Sequence, residues 1–102
     1  MTLPERMTYI AAESAGGPEV LKPAIGPVPR PKPEEVLIRV LAAGVNRPDV
    51  SQRQGVYPPP PGASPILGLE VAGEVVMTGA EVSGLRDGDR VCALTNGGGY
   101  AE

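Results

Sequence analysis

The stretch from Gly68 to Gly79, read GLEVAGEVVMTG, constrains this chain more than any other. Its residues alternate as a strand's do, yet Gly68, Gly73 and Gly79 remove side chains from positions that a strand would otherwise line. Glycine weakens a strand, so each is expected to make room for something: a bend, a bulge, or a second backbone or ligand lying close. Glu70 sits inside the same run, where burial of its carboxylate would require a partner. The expectation is a central strand with a site beside it.

The flanking segments read as further short strands. Met7 to Ala12 forms the first, ended by the turn Gly16-Gly17-Pro18-Glu19. Val20 to Pro29 pairs back on it, confined to a sheet edge by Pro23 and Pro27. Arg30-Pro31-Lys32-Pro33 is a stiff extended connector. Glu35 to Ala43 shows the cleanest alternation, with Val36, Ile38, Val40 and Ala42 on one face. Asn46 then caps a short helix over Arg47 to Gln54, with Pro48 in its first turn and Gly55 as its stop. Asp49 and Arg53 fall four residues apart on one helix face, where an ion pair is worth about 0.3 kcal/mol.

Tyr57 leads into Pro58-Pro59-Pro60-Pro61-Gly62, which is read here as a rigid loop, although the run alone would also suit an SH3-type ligand. Asp87-Gly88 marks a turn before a strand over Arg90 to Thr95. Asn96-Gly97-Gly98-Gly99 opens a loop into Tyr100-Ala101-Glu102, where a further strand begins.

With 102 residues, 14 glycines and 13 prolines, the alternative to such a body is disorder. Hydrophobic residues make up 41% of the chain and fall in β-patterned runs, which favours an ordered all-β body with long loops. The net charge of −3 and the lack of Lys or Arg clusters interleaved with aromatics exclude a nucleic-acid surface. The single cysteine, Cys92, lies in the apolar run Val91 to Leu94 and reads as a small buried core residue in a reducing compartment. No apolar run is long enough for a signal peptide or membrane span, so the expected location is cytoplasmic. Residues 1 to 6 read as a loose extension, and 7 to 102 as the domain. The chain carries no Gly-x-Gly-x-x-Gly dinucleotide fingerprint.

Taken together, Gly44-Val45-Asn46-Arg47-Pro48-Asp49, Gln52 to Pro58, the proline turn, Gly68-Leu69-Glu70, Asp87 to Val91 and Gly98 to Glu102 carry a resemblance. In that order they resemble the front of the zinc-free quinone oxidoreductases of the medium-chain dehydrogenase/reductase superfamily, closest to the p53-inducible quinone reductase-like subgroup. The resemblance implies a mainly β fold, a GroES-like partly open β-barrel with one short helix and long Pro/Gly loops, forming one wall of a catalytic cleft. It also implies a Rossmann domain, absent from this chain, as the other wall and the main holder of NADPH. An unfinished barrel would then expose edges that favour self-association.

Zinc-dependent relatives place a cysteine where this chain has Asn46 and a histidine where it has Leu69. With no histidine and one cysteine, a His/Cys zinc site is not expected. The implied chemistry is hydride transfer to an already electrophilic quinone or enone. Asn46 would face the nicotinamide or the substrate oxygen as well as cap the helix. Tyr57 would offer its ring to a quinone or pack on the proline loop. Ser51 stands where many such enzymes have a substrate-side tyrosine, and Arg53 with Asp49 would fix the helix below the substrate or form a surface pair. Glu70 would pair with an arginine or cap backbone N–H groups inside the cleft, a structural role favoured over proton transfer. Asn96, Gly97 and Gly98 would approach the cofactor or form an ordinary hairpin tip. A stand-alone GroES-like binding module without activity is the competing reading.

Overall fold

A computed structural model describes residues 3–102, leaving Met1 and Thr2, the start of the expected extension, outside the described residues. Among the described residues the chain is mainly strands with one helix, arranged as two antiparallel sheets not closed into a barrel. β1 (Arg6–Ala12) and β2 (Leu21–Pro27) pair as a ribbon, and a 3-10 turn at Pro18–Val20 joins them. Pro23 and Pro27 sit in β2 without loss because a two-stranded ribbon leaves each strand one free edge. The first strand begins at Arg6, and the Glu5 carbonyl accepts from the Val28 N–H at 2.9 Å, so both residues belong to this ribbon.

The second sheet has the order β3 (Val36–Ala43), β4 (Glu70–Thr78), β5 (Arg90–Leu94). In the central strand, Val71, Gly73 and Val75 are buried in alternation, and Leu67 just before it completes the buried apolar core. The three glycines of this run all yield space to backbone. A Cβ on Gly73 would meet the Arg39 carbonyl, and one on Gly79 would meet the carbonyls of Lys32 and Pro33. Gly68, at φ +104°, lies against the backbone of Gly99 and Tyr100, where a Cβ would come within 2.7 Å of both. β3 slips register against β4 at Leu37/Ile38 and again at Val40/Ala42, so the sheet bends around Gly73.

The final residues stitch the sheets together. Ala101 bridges Tyr9 of β1, the Ile10 N–H donates to the Tyr100 carbonyl at 2.9 Å, and the Val40 N–H of β3 donates to the Glu102 carbonyl at 2.8 Å.

One expectation fails in this sheet. Cys92 is exposed, because β5 alternates and only its Val91 and Ala93 turn toward cover. A short apolar run does not reveal which of its faces the rest of the fold covers.

Candidate functional site

The helix α1 (Arg47–Arg53) starts from Asn46, whose extended backbone suits an N-cap. Asp49 Oδ2 accepts from the Asn46 N–H at 3.1 Å, as in a capping box, and the Asp49 N–H donates to the Asn46 backbone carbonyl at 3.0 Å. Asp49 is 3% exposed, and the same Oδ2 accepts from the Tyr100 hydroxyl at 2.7 Å. Its Oδ1 has no partner among the described residues. Burial, then the hydrogen bond to Asp49 and its charge, push the Tyr100 phenol well above its ordinary range.

Asn46 Nδ2 donates to Glu70 Oε1 at 3.1 Å. The Glu70 carboxylate rests on Gly44, where any Cβ would collide with Oε1. Glu70 is therefore exposed at the start of β4, and its partner is an amide side chain rather than the expected arginine or backbone N–H. The expected Asp49–Arg53 pair is not made either. Asp49 turns inward to Tyr100, whereas Arg53 Nε donates to the Gly16 carbonyl at 3.0 Å.

A cleft of about 210 Å³ lies beside this cluster, lined by Gln52, Tyr57, Pro59, Pro60, Leu69, Leu94, Thr95, Asn96 and Gly97. One wall is the helix and proline loop; the other is the segment after β5. Gln52 Nε2 anchors the first wall to the Pro65 carbonyl at 3.2 Å, and the Thr95 N–H anchors the second to the Leu69 carbonyl at 2.7 Å. Gly97 and Gly98 adopt positive φ, and the loop is no free hairpin tip. The Gly98 N–H donates to Ile66 at 2.8 Å, and those of Gly99 and Tyr100 donate to Gly68 and Leu67 at 3.0 and 2.9 Å.

Of the residues singled out from sequence, the cleft gathers Tyr57, Asn96 and Gly97. Asn46, Asp49 and Glu70 form the adjoining cluster. Glu70 and Leu94 are register partners across β4 and β5, so both project from the face opposite Val71 and Val75. Asn46, Asp49, Glu70, Ser51 and Gly98 line neither cavity, and Arg53 lines a second one of about 310 Å³ beneath the proline loop. Sequence reasoning missed Gln52, Leu94 and Thr95 as lining residues and saw Leu69 only as a residue unable to bind zinc. No local signal marks them, since the register of β4 and β5 brings three of the four together.

No Lys or Arg lines the cleft. Its apolar residues and few amides fit a flat neutral ring, such as the nicotinamide end of a dinucleotide, and not a diphosphate, which needs cations or a helix N-terminus. Among the described residues, no three His, Cys, Asp or Glu side chains come together as a metal site would require. No helix among them is long and apolar enough to cross a membrane.

Residues 32–102 match the model of the alcohol dehydrogenase GroES-like domain, and the chain belongs to this family. It is 44% identical over 98 residues to the quinone oxidoreductase of Lama guanicoe, an alignment that covers 94% of this chain and 30% of that protein. The chain thus spans about a third of the length of such curated relatives. Among solved structures, the human synaptic vesicle membrane protein VAT-1 homolog-like protein superposes with a TM-score of 0.85 at 36% identity, over 95% of this chain and 31% of that one. The quinone oxidoreductase of Coxiella burnetii does so with a TM-score of 0.83 at 30% identity, over 95% and 33%.

Proposed function

We propose that this chain forms the catalytic-domain wall of an NADPH-dependent quinone oxidoreductase that reduces quinones or activated enones without zinc. The observation that carries the reading is the uncharged, largely apolar cleft between Tyr57 and Leu94, with the Asn46–Glu70 cluster on the same face of the sheet. A flat, neutral acceptor fits such a cleft, and Tyr57 offers it a ring face. The nicotinamide, when bound, supplies the hydride. The chain's own residues bind and orient the acceptor and exclude water, and Asn46 meets the oxygen on which charge develops. The resemblance to quinone oxidoreductases supports this assignment.

In this reading a nucleotide-binding Rossmann domain holds most of NADPH, consistent with a cleft that has no cation for phosphates. Exposed Leu41, Val45, Val56 and Leu94 offer apolar surface for that domain or for self-association. The unpaired Cys92 suits the reducing cytoplasm.

The test is a chimera in which this chain replaces the matching segment of the Lama guanicoe enzyme. NADPH-dependent quinone reduction within about tenfold of the parent, lost on Asn46→Ala, supports the reading. A folded chimera without activity points instead to a GroES-like binding module.

A further inference from the structure

We propose that Glu70, seated on Gly44, is a positioning residue that makes Asn46 a hydrogen-bond donor toward a ligand's carbonyl oxygen beside the cleft. The inference deepens the proposed function and rests on that reading for its substrate.

An amide side chain has one acceptor oxygen and two N–H donors, and its orientation follows from what each end meets. The Asp49 N–H is taken by the Asn46 backbone carbonyl at 3.0 Å and leaves the side-chain amide unfixed. Glu70 fixes it: Nδ2 donates to Glu70 Oε1 at 3.1 Å, and an ionised carboxylate can only accept. This contact selects the orientation of the amide. The second Nδ2 proton is left free, so a ligand meeting the nitrogen end of Asn46 encounters a donor. The matching ligand class is a carbonyl acceptor, such as a quinone oxygen.

Gly44 makes the arrangement possible. It follows β3, and its N–H donates to the Glu70 carbonyl at 2.9 Å, which holds the start of β4 close. A side chain at this position would displace the Glu70 carboxylate from the place where it meets Asn46. Gly44 has no positive φ, so alanine is compatible with its backbone. The atoms most obstructed are the carboxylate end of a flexible side chain, with Glu70 Cβ at 3.3 Å in tight contact, so Gly44→Ala should displace the carboxylate while keeping both functional groups.

The test reads the Asn46 side-chain amide directly by 15N NMR of the 102-residue chain, with no cofactor or activity required. In the wild type, one of the two Nδ2 protons exchanges slowly and the pair is widely split. Glu70→Gln retains an acceptor oxygen and keeps this signature. Glu70→Leu and Gly44→Ala lose it, with backbone dispersion unchanged elsewhere. An Asn46 amide that is the same in wild type, Glu70→Leu and Gly44→Ala overturns the proposal.

The active chimera supplies the functional arm. Glu70→Leu and Gly44→Ala should each lower kcat/KM for a quinone about tenfold, the scale of one misaligned hydrogen bond, and Glu70→Gln should restore it. Equal activity in all three variants refutes the donor role even if the amide signature stands. An inactive parent chimera with an intact signature instead sinks the quinone reading.

Discussion

Tyr100→Phe should destabilise this chain more than any other removal of a single oxygen. The hydroxyl donates at 2.7 Å to Asp49 Oδ2, whose carboxylate is 3% exposed and already has one oxygen without a partner among the described residues. Phenylalanine leaves that carboxylate with only the Asn46 N–H. A hydrogen bond to a buried charged group contributes about 1.5 to 3 kcal/mol, and the slightly more apolar ring offsets little of it. We expect a loss of about 2 kcal/mol near neutral pH, or about 10 °C in Tm for a chain of this size.

The pH dependence gives an independent check. Because the folded phenol is held above its ordinary value, chiefly by burial, the protonated form is favoured in the native state. The stability this contributes is fully present below the unfolded phenol's pKa of about 10 and is lost as pH rises from there toward the folded value. Urea unfolding from pH 7 to 11 should therefore show the advantage of wild type over Tyr100→Phe shrinking above about pH 10. A difference below about 0.5 kcal/mol at pH 7, or a gap that does not narrow at alkaline pH, would refute the reasoning.

Other perturbations separate the roles assigned above. Gly73→Ala should cost about 3 kcal/mol, because its Cβ meets the Arg39 carbonyl and backbone must move, whereas Gly84→Ala, at φ +86° in open space, should cost only about 1 kcal/mol; chemical unfolding ranks them. Cys92 should react with a thiol reagent in the native state, and Cys92→Ser should change stability by less than about 0.5 kcal/mol. Leu94→Ala, at a side chain 85% exposed, should leave Tm unchanged yet raise KM for a quinone several-fold in the chimera. Sedimentation at high concentration should reveal reversible association through the exposed apolar residues; a monomer throughout removes that expectation.

Much of the fold was legible because its signals are local. The capping asparagine and its Asp three residues on, the prolines of an edge strand, and the alternation of β3 all mark their elements within a few residues. The three glycines of Gly68 to Gly79 also announced close approach correctly, although the intruders are carbonyls and backbone, not a ligand. What the sequence hid depends on distant pairings. Tyr100 lies 51 residues from Asp49, and nothing near either predicts that they meet. Arg53 loses its helical neighbour for the same reason: Asp49 is drawn inward, and the guanidinium turns to Gly16. Glu70 and Leu94 share a face only through the register of β4 with β5, which also decides that Cys92 faces outward. Contacts set by short motifs were therefore easier to foresee than a cleft lining set by sheet pairing.

The most direct test of the central claim is a titration of the 15N-labelled chain with duroquinone, whose fully methylated ring disfavours addition by Cys92. The account predicts saturable shifts concentrated at Gln52, Tyr57, Leu69 and Leu94 to Gly97, with the second Asn46 side-chain proton moving as well. Shifts centred on the cavity beside Arg53, or none up to the solubility limit, would contradict it.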